Sequence, residues 1–447
     1  MAPERWIPPD AETRLGLGFY ATTTPGVGGR LKREADDFRV REISLYPMPA
    51  EDGPFTVLRV VSRNWEQHEL SERLAQRLRL PPHAIRWAGT KDRRAVAERL
   101  ASYRGRPPDG PVDLADVEIR EAYRARDGLV LGHHFGNAFE VRITGLSDPD
   151  AAERIEATHR ALQDAGGFPN FFGGQRFGEV RPVTHDVGRA LVHGDLERAV
   201  DLYLTAIPPG GDGLGVDART AYAEHHDAVR ALREFPTSLR FERQLLDHLA
   251  RGHPPERALR ALSRELRTLF VHAYQALLFN RFVTRRVDLG LSLTRPVPGD
   301  VLLRVARDGT VPGTPAIPVV EDNLSECDDL AARSGARVAG PLVGHASLDV
   351  PGPAKEIMDA VLAEEGVTRR DFLLPSAPDL ASAGSCRPLL VPLPPIGRRA
   401  RATSSDEDRS MTLTFALPKG SYATVLLREF LKTDAYASSA AQSKRAY

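Results

Sequence analysis

Asp92 is the side chain whose surroundings best suit a nucleophile. It lies in the sequence WAGTKDRRA at residues 87–95, where small residues precede it and Lys91, Arg93 and Arg94 flank it. Three cations within two residues favour an ionised carboxylate, which suits a nucleophile rather than a general acid. The other interpretation is a solvated charge run that caps a following helix. The spacing of a phosphate-binding P-loop is absent from this segment.

The sequence NFFGGQRFG at residues 170–178 is a second segment that could carry chemistry. Its paired phenylalanines, its glycines and the planar donors Gln175 and Arg176 are groups that can grip an unstacked base or an RNA backbone. The alternative is a structural junction between domains that the aromatic rings hold together. Both interpretations fit the composition.

A third segment, LGHHFGNAFEVRI at residues 131–143, combines an amide and a ring at the start of a predicted strand. Asn137 offers amide hydrogen bonds and Phe139 offers a stacking face. His133 and His134 are adjacent, so on a regular strand they cannot both point to one metal ion. Since no cysteine cluster accompanies them, we expect no metal site here.

The formal net charge of the 447-residue chain is zero, but the charge is sorted into blocks. Residues 239–310 carry a net charge of +6, whereas residues 311–380 carry −7 and residues 191–238 carry −4. Only six of the 60 basic residues are lysines. The arginine guanidinium can donate two parallel hydrogen bonds to a phosphate, which the lysine ammonium cannot match. Genome composition alone can also produce an excess of arginine over lysine. A neutral total is therefore compatible with an RNA partner.

An arginine stripe is predicted on one face of a helix over residues 256–286, because the arginines recur three or four residues apart. Its members are Arg257, Arg260, Arg264 and Arg267. The stripe is either a solvated helix face or a surface that contacts phosphates.

The hydrophobic pattern predicts an α+β protein with a mixed sheet. We expect helices near 68–78, 95–104 and 148–166, over most of 183–280, and at 421–432 with Ser421 as N-cap. Residues 383–410 are predicted to form a loop or linker. Strands are predicted at 37–43, 55–61, 85–90, 138–144 and 411–417.

Composition also limits the class of protein. No apolar run approaches the length of a membrane span, and the N-terminal sequence lacks a signal-peptide core. Two cysteines exclude both a disulfide framework and a cysteine-built zinc site. We therefore expect a cytoplasmic protein that does not associate with membranes.

Taken together, these segments resemble the TruD family of tRNA pseudouridine synthases, most closely its archaeal and eukaryotic branch. The resemblance spans about residues 30–432, and residues 1–30 and the tail after Lys432 find no counterpart. It rests on motifs that occur in the family's order: DFRVREI, AGTKDRRAV, LGHHFGNAFEVRI, NFFGGQRFG, YQALLFNRFV and KGSYATVLLREFLK.

The resemblance implies a pseudouridine-synthase catalytic domain, with a mixed β-sheet flanked by helices, that an α/β TRUD insertion domain interrupts. The catalytic domain would comprise residues 1–167 and 386–447, and the insertion domain would comprise residues 168–385.

The resemblance also implies roles for individual residues. Asp92 would be the catalytic aspartate, and an ion pair with Lys91 would orient its carboxylate. Asn137 would hydrogen-bond near Asp92, and Phe139 would stack on the flipped base. In the other predicted domain, Gln175 and Arg176 would support the substrate site.

The function implied is isomerisation of uridine to pseudouridine in tRNA, at position thirteen, by a monomer without a cofactor or metal. Two alternatives stay open at the level of the sequence. One is an RNA-binding protein or RNA chaperone on the same scaffold, and the other is pseudouridylation of other RNAs.

Overall fold

The computed structural model describes residues 6–44, 47–178, 180–307, 309–313, 315–401 and 409–433. The described chain forms two compact units. One comprises residues 6–23, 164–392 and Thr433, and the other comprises Thr24–Gln163 and Leu393–Lys432. We call them the helical unit and the sheet unit. The predicted domain boundaries stay predictions.

The described residues contain strands and helices along the whole chain. The strands are β1 (Phe38–Ile43), β2 (Phe55–Arg63), β3 (Arg86–Trp87), β4 (Val96–Arg104), β5 (Val117–Ala125), β6 (Gly136–Thr144), β7 (Gly167–Pro169), β8 (Val301–Arg304), β9 (Ala316–Pro318), β10 (Ala336–Leu342), β11 (Ser385–Pro388), β12 (Leu390–Pro392), β13 (Gly397–Arg401) and β14 (Ser410–Pro418). The helices are α1 (Asp10–Arg14), α2 (Gln67–Arg77), α3 (Ala151–Asp164), α4 (Thr184–Val192), α5 (Leu196–Thr205), α6 (Val216–His225), α7 (Ala228–Glu234), α8 (Arg240–Ala250), α9 (Pro255–Ala261), α10 (Arg264–Asp288), α11 (Leu324–Ala332), α12 (Pro353–Glu365) and α13 (Ala423–Leu431).

The sheet unit is built on one eight-stranded sheet in the order β13-β14-β6-β1-β4-β2-β5, with β3 paired to β4. Strands β1 and β4 run parallel, and the other pairs are antiparallel. The predicted α+β class with a mixed central sheet is therefore confirmed. The alternation in DFRVREI works as expected, because Phe38 and Val40 are buried while Arg39 and Arg41 are exposed.

The helix predicted at residues 95–104 was wrong, because residues Val96–Arg104 form strand β4. Alanine, glutamate, arginine and leucine favour a helix locally. The segment lies in the interior of the sheet, where both of its edges are hydrogen-bonded, to β1 and to β2. Burial on the pleated surface outweighs local helix propensity here.

The C-terminal part of the described chain also departs from prediction. The segment predicted as a linker contains β11, β12 and β13, although residues 402–408 lie outside the described residues. Helix α13 begins at Ala423 after Tyr422, so Ser421 is not its N-cap. The tail after Lys432 falls outside the described residues from 434 onward.

The helical unit is organised around α10. Fourteen residues of this helix are buried, and Asn280 is completely so. Its amide donates to the carbonyl oxygens of Leu15 and Phe172 and accepts from the Phe172 N–H at 2.8 Å. Helix α10 thereby fixes both the N-terminal segment and the NFFGG segment. A four-stranded sheet in the order β11-β10-β8-β9 and the β7–β12 pair complete this unit.

The predicted arginine stripe is divided between two helices, since α9 ends at Ala261 and α10 begins at Arg264. Within the stripe, Arg267 is buried and forms an ion pair with Asp379 at 2.8 Å. Arg264 donates to the Asp379 carbonyl oxygen. These intramolecular contacts disfavour the interpretation of the stripe as a phosphate-binding face.

None of the helices formed by the described residues is long and apolar enough to cross a membrane.

Candidate active site

Asp92 lies in the loop that joins β3 to β4, and its side chain is about one quarter exposed. Its carboxylate accepts a hydrogen bond from the Lys32 ammonium at 2.8 Å. Lys32 itself is buried, and its ammonium lies 4.7 Å from the centre of the Phe38 ring. A partly exposed carboxylate that a buried cation holds in place can reach a ligand while its orientation stays fixed.

Lys91, which the sequence predicted as the partner of Asp92, has a different partner. Its ammonium contacts the Glu42 carboxylate at 3.0 Å, and both side chains are buried. Burial lowers the pKa of Lys91, and the Glu42 carboxylate opposes that shift. The structure therefore places two lysine–carboxylate pairs side by side, and the cation that orients Asp92 is Lys32.

Asn137 lies directly across from Glu42 in the pairing of β6 with β1. Directly opposite side chains on neighbouring strands lie on the same face and within contact range. Neither Asn137 Oδ1 nor Glu42 Oε1 has a hydrogen-bond partner among the described residues, although both atoms are buried. Unsatisfied buried polar atoms are rare, so this pair indicates a place where a ligand or water completes the structure.

His134, in the loop before β6, lies close to Gly89 and to the Lys91 ammonium. A Cβ atom on Gly89 would lie 3.1 Å from the His134 ring and 3.4 Å from the Lys91 nitrogen. Burial, together with the Lys91 ammonium, lowers the pKa of His134. This histidine is therefore neutral at pH 7. Across the described residues, no group of three His, Cys, Asp or Glu side chains is arranged to hold a metal ion.

Phe139 is half-buried on the sheet face that also carries Val40. Its ring stacks on Phe415 with the centroids 5.4 Å apart and meets the edge of the Phe38 ring at 5.8 Å. Since Lys32 lies over that Phe38 ring, Phe139 is linked to the Asp92 ion pair through side-chain contacts.

Gln175 and Arg176 belong to the helical unit, in a short 3₁₀ helix at Gly174–Arg176. Phe171 and Phe172 are buried, and the guanidinium groups of Arg387 and Arg176 lie 4.0 Å and 5.5 Å from the centre of the Phe172 ring. Rings that are buried in this way cannot stack on an RNA base. The NFFGG part of the motif therefore holds the helical unit together.

Two residues of this site, Lys32 and Glu42, were not predicted from the sequence. Glu42 did carry a signal, because it falls on the buried side of the alternation that Phe38 and Val40 define. A charged residue at such a position needs a buried partner. Lys32 carried a weaker signal, as one of six lysines in an arginine-rich chain.

A family model described as tRNA pseudouridine synthase D (TruD) matches residues 14–430. The chain belongs to the TruD family. The match begins at residue 14, so the expectation that residues 1–30 find no counterpart was wrong for its second half. Within the matched range, Gly16 and Gly18 pack against Asn280 and Thr284 of α10.

Individual TruD relatives match over nearly their full length. A "Probable tRNA pseudouridine synthase D" of Methanococcoides burtonii is 35% identical over 95% of this chain and 98% of its own. Its namesake in Halobacterium salinarum is 38% identical over 94% of this chain and 97% of its own. The crystal structure of the TruD protein of Methanosarcina mazei matches with a TM-score of 0.78 and 31% identity, covering 96% of this chain and 99% of that one.

Proposed function

We propose that this protein isomerises uridine to pseudouridine in tRNA, at position thirteen, with Asp92 as the nucleophile. The observation that carries the proposal is the partly exposed Asp92 carboxylate, which the buried Lys32 ammonium holds at 2.8 Å within a chain of the TruD family. A carboxylate that is oriented and accessible has the properties that covalent catalysis requires.

In the proposed reaction, Asp92 attacks the ribose or starts elimination at the target uridine. The bond from ribose C1′ to base N1 breaks, the base rotates, and C1′ rejoins the base at C5 while the C5 proton is lost and N1 gains one. Atoms and electrons balance without an oxidant or reductant. The isomerisation therefore calls for no cofactor.

Asn137 and Phe139 are proposed to hold the base while it is detached. The target base must leave its stack to reach Asp92, and an aromatic side chain can replace the lost stacking. Phe139 is half-buried on the sheet face that carries Glu42 and Asn137. Asn137 offers a buried amide oxygen without a described partner, which suits hydrogen bonding near Asp92.

For the helical unit we propose a supporting role in substrate binding, with Gln175 and Arg176 as contacts. The buried Arg176 Nε has no partner among the described residues, which leaves it a donor for a ligand. The same proposal includes the domain boundaries at 167/168 and 385/386, a cytoplasmic monomer and tRNA as the partner.

The test uses unmodified tRNA and maps pseudouridine by carbodiimide treatment and primer extension. Asp92→Asn keeps the shape of the side chain but removes the nucleophile, so product formation should fall below detection. Asp109→Asn is the matched control, since Asp109 is an exposed aspartate of the same unit. Full activity in Asp92→Asn would overturn the nucleophile assignment. Tight tRNA binding without any product in the wild type would favour an RNA-binding protein.

A uridine-to-cytidine change at position thirteen of the tRNA tests the site of modification separately. We expect that this substrate yields no product. Product at other positions would favour the alternative in which the protein modifies other RNA sites.

A further inference from the structure

An exposed leucine stands at the tip of a tight turn next to the Asp92 loop. The Val130 carbonyl accepts a hydrogen bond from the His133 N–H at 3.0 Å, and Gly132 between them has a φ of +87°. These are the features of a type II β-turn with glycine at its third position. Leu131 occupies the second position and is 74% exposed, and Val130 before it is 50% exposed.

The turn is fixed on both sides rather than loose. Before it, Leu129 is buried in a core cluster and its N–H donates to the Ser102 hydroxyl at 2.8 Å. After it, the Phe135 N–H donates to the Ile43 carbonyl oxygen at 2.9 Å. Because both ends of the turn are held by hydrogen bonds, the backbone keeps the exposed Leu131 side chain at a defined place in the solvent. Ordering these residues costs conformational entropy.

That place is at the start of the loop that carries the proposed nucleophile. The Gly132 N–H donates to the Ala88 carbonyl oxygen at 2.7 Å, at the start of the loop that carries Asp92. The ammonium of the exposed Lys419 donates a hydrogen bond to the Gly132 carbonyl oxygen at 3.0 Å. The turn therefore presents an apolar side chain, Leu131, close to a cation, Lys419. RNA offers a matching surface, because its phosphates are anionic and its stacked bases can separate.

We propose that Leu131 is an apolar wedge that enters the RNA base stack beside the target uridine and fills the space that the flipped base leaves. The inference rests on the proposed function. Apolar side chains that insert between base steps offset part of the cost of unstacking. A base must be extruded before a buried site can act on it, and this cost is smallest for an RNA that is already unstacked.

The wedge predicts a difference between two substrates. Leu131→Ser should slow single-turnover product formation on folded tRNA on the order of tenfold, because the barrier to extrusion is no longer offset. On a short unstructured oligoribonucleotide with the same target uridine, the variant and the wild type should react at nearly equal rates. Leu131→Met keeps the apolar bulk and should restore the rate on tRNA.

A second measurement reports on unstacking itself. In the Asp92→Asn background, a 2-aminopurine next to the target uridine should brighten when the protein binds. The additional change Leu131→Ser should abolish that increase while tRNA binding persists. Leu289→Ser is the control, because Leu289 is 62% exposed in the helical unit.

Each outcome separates the two proposals. If the wild type modifies neither substrate, the proposed function fails. If the wild type modifies both and Leu131→Ser keeps the full rate on tRNA, the wedge is overturned. A wild-type dimer that Leu131→Ser converts to a monomer would also overturn it, since the turn would then face a second copy of the chain.

Discussion

Glu42 and Lys91 are two charged residues that are kept inside the sheet unit as a pair. Taking either charge out of water is expensive, and the 3.0 Å contact between them offsets part of that cost. The pair also fixes the residue before Asp92, while Lys32 fixes Asp92 itself. The position of the proposed nucleophile therefore depends on side chains from β1 and from the segment before it, neither of which is adjacent to Asp92 in sequence.

We predict that removing one charge of the Glu42–Lys91 pair destabilises the protein more than removing both. Glu42→Gln leaves the Lys91 ammonium buried without its counter-charge and should cost about 3–5 kcal/mol of unfolding free energy. Lys91→Met should cost a similar amount. The double variant removes both charges and should regain most of the stability in a urea titration.

The rate of pseudouridine formation should recover less than the stability in the double variant, because the contact that fixes the Asp92 loop is gone. Equal costs for the single and double variants would show that the two residues do not act as a pair. Full recovery of the rate would restrict the pair to a structural role.

Strand β6 carries both Asn137 and Phe139, so the site depends on how closely β6 approaches β14. Gly136 begins β6 opposite Pro418, and a Cβ atom there would lie 2.1 Å from the Leu417 carbonyl oxygen. Since that atom is backbone, a side chain cannot be accommodated by a simple rotation. The glycine is required by close approach between strands and not by an unusual φ.

We predict that Gly136→Ala shifts β6 away from β14 and disturbs the site at its first strand residues. The expected loss is about 1–3 kcal/mol of unfolding free energy, together with a lower rate of product formation. Gly110→Ala is the matched control, because a Cβ atom on Gly110 would have no other atom within 4 Å. Thermal unfolding and the tRNA assay measure the two effects. An unchanged melting temperature in Gly136→Ala would contradict the close approach.

The elements that sequence predicted well are those whose pattern is local. The alternation of β1, the strand at β6 and the helical spacing of α2 and α3 were confirmed. Strand β4 was missed because its residue types favour a helix, and only its neighbours in the sheet make it a strand. The Asp92 partner was missed for a related reason, since Lys32 lies sixty positions away in sequence.

At the scale of the whole chain, blocks that looked separate in sequence neutralise each other within the helical unit. The basic block at 239–310 supplies Arg267, Arg281 and Arg285, and the acidic block at 311–380 supplies their partners. These partners are Asp379, Glu365 and Glu364. Block charge therefore overstated the cations available to RNA.

The last prediction concerns which cations contact phosphate. Lys419 is exposed and bonds only a carbonyl oxygen in its described hydrogen bond, so its charge can still attract an anion. Arg285 is already paired with Glu364, so we expect it to contribute little to counterion release when tRNA binds. In tRNA titrations at several salt concentrations, Lys419→Gln should reduce the slope of log affinity against log salt by roughly one. Arg285→Gln should leave the slope unchanged, and the reverse result would place the phosphate contacts on the arginine-rich helix α10.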